Sequence, residues 1–274
     1  MTILVTGATG TVGRHLVEQL VQAGEQVRAL TRNSARAKFT AEVDVIQGDL
    51  TSPASLAAAL EGVTGLHLIT FGGDDYAPLQ TGSEIATLAQ QAGVQRVTVL
   101  RGSGENGTVE TALEASTLDW AFLNPVEFMS GVLDWAESIR EQQMVRMGFV
   151  QRKSAIVHEA DIASVAAAAL TQPGHGGKTY SITGGEVLTP VQMVQIIGEL
   201  TGQHIRLIEL SEAEAREQWR GQDFPDEVID FFVWAHGSTP PEGYTVVPTV
   251  EQVTGRPPRT FAQWVMENAH YFRA

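Results

Sequence analysis

Thr2-Ile3-Leu4-Val5-Thr6-Gly7-Ala8-Thr9-Gly10-Thr11-Val12-Gly13 opens the chain, and Val12, Leu16, Val17, Leu20 and Val21 then fall on one face of a helix that Gly24 stops. A short apolar run, three glycines and an amphipathic helix predict a buried strand, a tight loop and a helix whose N-terminus faces the loop. The glycines have separate tasks: Gly7 permits the turn off the strand, Gly10 lets backbone approach a pyrophosphate, and Gly13 lets the helix pack closely. Free amides and the positive end of the helix dipole then meet a diphosphate. The pattern therefore predicts a dinucleotide, with the strand and helix around it supplying the context that a glycine triplet alone lacks.

The second strand, Val27 to Leu30, ends in Thr31-Arg32-Asn33-Ser34-Ala35-Arg36-Ala37-Lys38, and no carboxylate follows until Glu42. An acidic residue at this place binds a ribose 2′-hydroxyl, whereas an arginine accommodates a 2′-phosphate. NADP(H) is therefore expected over NAD(H), with Arg32 as the phosphate ligand and Arg36 or Lys38 adding charge.

Apolar runs and helical patterns go on alternating outward from this unit. Strands are read at Ile3–Thr6, Val27–Leu30, Val43–Gln47, Gly65–Thr70, Val97–Leu100 and Trp120–Leu123, with helices near Pro53–Leu60, Gly82–Ala92 and Thr108–Ala115. That rhythm predicts an α/β fold, a doubly wound parallel Rossmann sheet. Asp49 and Leu50 follow the third strand, where an adenine would rest; Asp49 serves equally as the cap of the next helix. Thr70, Phe71 and Gly72 end the fourth strand at the carboxyl edge, where such sheets bind ligands. The expected cofactor contacts are thus Gly7, Thr9, Gly10, Thr11, Val12, Gly13, Arg32, Asp49, Leu50, Thr70, Phe71 and Gly72.

Past Pro125 the rhythm loosens. Helices near Val126–Arg140 and Pro190–Leu200 alternate with strands at Thr179–Thr183 and Ile205–Leu210, followed by a segment with Trp219, Phe224, Phe231, Phe232, Trp234 and Tyr244. Val228, Phe231, Phe232 and Ala235 have helical spacing, so most of these residues are expected to pack a small core and a minority to line a substrate cleft. A smaller C-terminal α/β lobe is predicted, residues 153–274, partly interwoven with a cofactor domain at 1–152.

The chain has 274 residues, a net charge of −14 and no cysteine. Disulfides, a thiolate nucleophile and cysteine-ligated metal are thereby removed, and no metal is expected. The acidic balance argues against nucleic acid, which needs a basic face. No long apolar run or leader pattern points to membrane or export. The expected setting is the cytoplasm, with a small-molecule substrate and a monomer or homodimer.

Gly7 to Gly13 resembles the fingerprint of extended and atypical short-chain dehydrogenases/reductases, and the NmrA-like group within them is most similar. The resemblance extends through Val109-Glu110-Thr111-Ala112-Leu113, Leu123-Asn124-Pro125 with Phe128-Met129, and His158-Glu159-Ala160-Asp161-Ile162-Ala163. It continues in Thr183-Gly184-Gly185-Glu186 and Gly255-Arg256-Pro257-Pro258, and so spans nearly the whole chain. It implies a dinucleotide-binding oxidoreductase.

Departures narrow the chemistry. The family's usual Tyr-x-x-x-Lys pair, which exchanges a proton with substrate, is absent: none of Tyr76, Tyr180, Tyr244 and Tyr271 has lysine four residues later. Leu100-Arg101-Gly102-Ser103 stands where relatives often place a serine pair, Asn124 where arginine is common, and Gly131 where asparagine often falls. Arg101, Glu110 and Asn124 remain as catalytic residues, with Ser103, Glu105, Asn106 and Glu127 nearby in the pattern. Arg101 is read either as meeting a substrate or cofactor oxygen or as pairing with Glu105 or Glu127. Glu110 is read as an acid or base, or as a capping residue. His158 is expected to be structural and Asp161 to cap its helix.

The expected function is an NADP(H)-dependent oxidoreductase of a small carbonyl, quinone or related metabolite, with the proton coming from water or a carboxylate. The alternatives are a non-catalytic NADP(H)-binding redox sensor and an isomerase or epimerase that uses the cofactor transiently.

Overall fold

The apolar runs become a seven-stranded parallel sheet. In the computed structural model, which describes residues 1–73, 76–102 and 104–273 and only the backbone of Arg36, the strands of this sheet are β1 (Thr2–Val5), β2 (Gln26–Thr31), β3 (Val43–Gln47), β4 (Gly65–Ile69), β7 (Arg96–Leu100), β8 (Asp119–Pro125) and β10 (Lys178–Ile182). β5 (Phe71–Gly72) and β6 (Ala77–Pro78) form a small antiparallel hairpin just after β4. The sheet order β10-β8-β7-β4-β1-β2-β3 reverses direction between β1 and β4, which is the point where open parallel sheets leave a crevice for ligands.

Helices cover both faces of this sheet because the strands are apolar on both sides. One face carries α2 (Ala57–Leu60), α3 (Gly82–Gln91) and α4 (Thr108–Glu114), locked by Leu60, Leu66, Leu68, Ile85, Val97, Val109, Leu113 and Phe122. Two further helices of this unit, α1 (Gly13–Gln22) and α6 (Glu159–Thr171), pack on each other. The Gln19 amide donates to the Ala160 carbonyl and the Ser164 hydroxyl to the Gln19 side chain. α6 is buried throughout except at the half-buried Ala167 and Thr171, so it reads as an alanine-rich core helix rather than an amphipathic one.

Two compact units emerge, and the chain passes between them repeatedly. The first takes Met1–Pro125, Glu159–Ile182 and Thr249–Arg256; the second takes Val126–His158, Thr183–Pro248 and Pro257–Ala274. The sequence reading gives units of 1–152 and 153–274, partly interwoven; in the structure the chain changes unit after Pro125, after His158 and again further on. The reason is that α6, β10 and α10 (Thr249–Thr254) pack with the first unit although they lie late in the sequence.

The second unit is built on two parallel strands, β9 (Met144–Gly148) and β11 (Arg206–Leu210), with α5 (Ala136–Gln142), α7 (Pro190–Thr201), α8 (Glu212–Arg220), α9 (Asp226–Gly237) and α11 (Phe261–Asn268). Met129, Ile139, Val145, Ile156, Met193, Ile197, Phe261, Trp264 and Phe272 form its core. The aromatic segment departs from expectation: the buried residue of α9 is Ile229, while Phe231 and Trp234 are 46% and 55% exposed. Asp161 also differs, lying inside the first turn of α6 rather than before it.

Candidate cofactor site and catalytic end

Gly7 turns the chain out of β1 at the reversal point with φ of +59°, a left-handed value that favours glycine. The Thr6 amide donates to the His67 carbonyl, and the Ile69 amide donates to the Thr6 hydroxyl, so the ends of β1 and β4 are tied just below the loop. A Cβ on Gly13 would lie 2.1 Å from the Gly7 oxygen and 2.9 Å from the Ala8 Cα. Gly13 is therefore required by the protein itself, because its backbone presses on the first turn of the loop.

Gly10 is different. A Cβ there meets only the Gly7 oxygen, at 3.1 Å, with no other heavy atom within 4 Å. Protein packing does not explain why this position lacks a side chain, whereas a ligand lying over it does. The following helix fits the same ligand. α1 has no side-chain cap and no acidic residue in its first turn, and among the described helices of eight or more residues it alone lacks both. The amides of Thr11, Val12 and Gly13 have no acceptor among the described residues. An uncapped, acid-free helix end with an open approach suits a diphosphate.

Thr9, Gly10 and Arg32 are exposed and Thr11 half-buried, while Val12 is buried beneath them. Asp49 does not cap the helix after it: its Oδ1 accepts from the Thr51 amide and hydroxyl, both at 2.8 Å, in a turn ahead of the Pro53–Leu56 helix, whose N-cap Ser52 makes no side-chain cap bond. The Leu50 carbonyl accepts from the Thr81 hydroxyl, and the Thr70 carbonyl accepts from the Leu79 amide, which closes the hairpin carrying Phe71 and Gly72.

At the carboxyl end of β7 and β8, Leu100 pairs with Leu123 and the Arg101 amide donates to the Leu123 carbonyl, which puts Arg101 and Asn124 side by side. Ser103 lies outside the described residues. The Arg101 guanidinium donates to Glu110 at 3.2 Å and to the Gly104 carbonyl at 3.3 Å, and sits 5.6 Å from the centre of the Phe122 ring. The second Glu110 oxygen accepts from the Gly107 amide at 3.0 Å, the backward half of a capping box. With side chains 11% and 4% exposed, the pair is a neutralised structural unit.

The ion-pair partner of Arg101 is Glu110, where Glu105 or Glu127 was expected, because Glu110 projects from the first turn of α4. Of its two readings Glu110 takes the capping one, with one oxygen on the Gly107 amide and the other on Arg101. Glu127 belongs to Arg152, which it holds with two bonds of 2.6 and 2.7 Å. His158 pairs with Glu267 at 3.1 Å. Asn124 stands apart from Arg101 and Glu110, because its Oδ1 is buried and lacks a hydrogen-bond partner among the described residues. A buried acceptor left unpaired costs about 1–3 kcal/mol, so it marks a place where a ligand group or water belongs.

Comparison with known proteins agrees with this geometry. A family model described as NAD(P)H-binding matches residues 7–107. The chain is 31% identical to an NAD(P)H azoreductase of Xenophilus azovorans, over 99% of both chains. It is 35% identical to a (4-alkanoyl-5-oxo-2,5-dihydrofuran-3-yl)methyl phosphate reductase of Streptomyces griseus, over 98% of this chain and 99% of that one. An NADPH-dependent quinone oxidoreductase of Escherichia coli, solved with NADPH, superposes with a TM-score of 0.81 at 25% identity, over 97% of this chain and 99% of that chain. The chain belongs to the NmrA-like group of atypical short-chain dehydrogenases/reductases, and it binds NAD(P)H.

Proposed function

We propose that the protein is an NADPH-dependent reductase whose acceptor is a quinone or a similarly conjugated small molecule. The observation that carries the cofactor half is the uncapped α1 terminus beneath the open side of Gly10. Thr9, Thr11, Val12 and Gly13 would hold the diphosphate, Arg32 the 2′-phosphate, Asp49 and Leu50 the adenine, and Thr70, Phe71 and Gly72 the far side of the dinucleotide. Bound NADPH supplies a hydride.

The acceptor follows from what the chain lacks. Without a tyrosine-lysine pair, and with Glu110 engaged on both oxygens, the proton is assigned to water. A simple ketone would leave an alkoxide, with a proton affinity near that of hydroxide and far above that of a phenolate, and needs an acid at the moment of reduction. A quinone leaves a phenolate, which takes up its proton at ~10 as a tyrosine side chain does, so bulk water suffices. The reductases similar to this chain along their whole length favour catalysis over the sensor reading. Asn124 is assigned to orient ligand through its unpaired Oδ1; Arg101 holds the strand end behind it.

The enzyme is proposed to work in the cytoplasm as a monomer or homodimer, with a small-molecule partner and neither nucleic acid nor membrane; no described helix is long and apolar enough to cross a membrane. The test is a panel of quinones, azo compounds and aliphatic ketones offered with NADPH. Quinones are expected to consume NADPH and simple ketones not. Preference for simple ketones would overturn the argument from the missing acid.

A further inference from the structure

We propose that the second unit carries a binding site for a neutral oxygen on a planar aromatic ligand, formed by Arg152 and His236 among Phe149, Trp219 and Phe232. It goes beyond the reductase reading to a binding site inside the second unit, and rests on that reading for the class of ligand.

Arg152 is the starting point. Its side chain is 7% exposed and gives both terminal nitrogens to Glu127, yet its Nε is buried with no hydrogen-bond partner among the described residues. A guanidinium donor without an acceptor is costly unless something else supplies one. The surrounding groups define what that is. His236 lies close enough to Arg152 and Glu127 for their charges to act on its proton affinity, and burial, reinforced by the Arg152 charge, pushes its pKa down to about 4. The imidazole is therefore neutral at physiological pH and offers one donor and one acceptor. Its ring stacks on Phe232 at 6.1 Å and 7°, with Trp219 at 5.9 Å and Phe149 at 6.3 Å.

Phe149 is itself held in an unusual backbone state. Its φ is +58°, a left-handed conformation that a bulky residue adopts only when its surroundings impose it. The turn it begins brings the Arg152 amide onto the Phe149 carbonyl at 3.0 Å, so Phe149 and Arg152 leave the same tight turn, and Glu127 then fixes the guanidinium. Glu127 neutralises Arg152, His236 adds no charge, and the chain as a whole is acidic at −14. Such a place favours a neutral carbonyl or hydroxyl oxygen over an anion, and the rings favour an aromatic body.

The experiment measures binding in place of turnover. Quenching of tryptophan fluorescence by 1,4-naphthoquinone and by naphthalene is compared in the intact protein, with Trp219→Phe to assign the signal. Arg152→Lys keeps a cation for Glu127 but draws its ammonium to that carboxylate and leaves no donor where Nε stood. Naphthoquinone affinity is expected to fall about tenfold or more, with naphthalene affinity, NADPH affinity and melting temperature close to wild type. If Arg152→Lys does not fold, His236→Phe, which keeps the ring stack and removes the ring nitrogens, is expected to give the same selective loss. Unchanged naphthoquinone affinity in the folded variant, or equal losses for both probes, overturns the proposal and leaves Nε to an internal water. Selective loss in a protein that reduces no acceptor would refute the reductase reading alone.

Discussion

Two glycines in one loop should fail in opposite ways. Gly13→Ala puts a methyl group 2.1 Å from the Gly7 oxygen, 2.8 Å from the Gly7 carbonyl carbon and 2.9 Å from the Ala8 Cα. All three are backbone atoms, so no side chain can rotate away and α1 must move off the end of β1. Overpacking of this kind costs about 1–3 kcal/mol, and for a chain of this size each kcal/mol lowers the melting temperature by roughly 2–4 °C, so a fall of about 2–12 °C is expected. Gly10→Val adds a larger side chain but meets a single oxygen at 3.1 Å, and should cost less than about 1 kcal/mol. Its branches instead fill the space over the α1 terminus, and NADPH affinity should fall at least ~100-fold, about 2.7 kcal/mol. Melting curves and NADPH titration by fluorescence separate the two effects. If Gly10→Val bound NADPH within about threefold of wild type, the loop would be a structural turn and the assignment of its amides to a diphosphate would fall.

Three further outcomes are expected. Arg32→Ala should weaken NADPH by about tenfold or more and leave NADH unchanged, since one charge-assisted phosphate contact is worth roughly 1.5–3 kcal/mol; equal wild-type affinities for the two cofactors would sink the phosphate role. Arg101→Ala should lower stability by about 3 kcal/mol by leaving Glu110 buried without its cation, and the double variant Arg101→Ala/Glu110→Ala should recover part of that loss; additive losses in a denaturant-unfolding cycle would contradict the pairing. Stability should also fall as pH drops from 6.5 to 5. Burial holds His67 at about 4 against an ordinary 6.5, and burial with the Arg152 charge does the same for His236, so the unfolded chain takes up protons there that the folded chain refuses. Two such groups give a slope approaching about 2.7 kcal/mol per pH unit, and a flat profile across that window would show that neither histidine is buried neutral.

The central strands were legible because each is a short apolar run bounded by turn residues, and Gly7 to Gly13 fixed where the ligand edge lies. Less of the second unit was readable. Met144–Gly148 reads Met-Val-Arg-Met-Gly, a weak strand pattern, and it becomes a strand through parallel pairing with Arg206–Leu210 some sixty residues later. α6 joins the first unit by contacts with α1 that no local pattern encodes. The partner of Arg101 was missed although Glu110 was already in view as a cap, because no periodic pattern links the end of a strand to a helix turn nine residues later. Helical spacing in α9 was right, yet it could not tell a ring facing a core from one facing solvent, and Phe231 and Trp234 face solvent. Arg152 and His236 lie 84 positions apart in sequence, and only the fold brings them together; the aromatic richness around Trp219 and Phe232 was the one signal pointing there.

The claim that this chain is a reductase, and not only a holder of NADPH, is tested most directly by loss of nicotinamide absorbance when a quinone is added to the protein with NADPH. The account predicts consumption of one NADPH for each quinone reduced, no consumption without the quinone, and none with Gly10→Val. Tight NADPH binding with no consumption above the acceptor-free rate, across quinones, azo compounds and carbonyls, would contradict it.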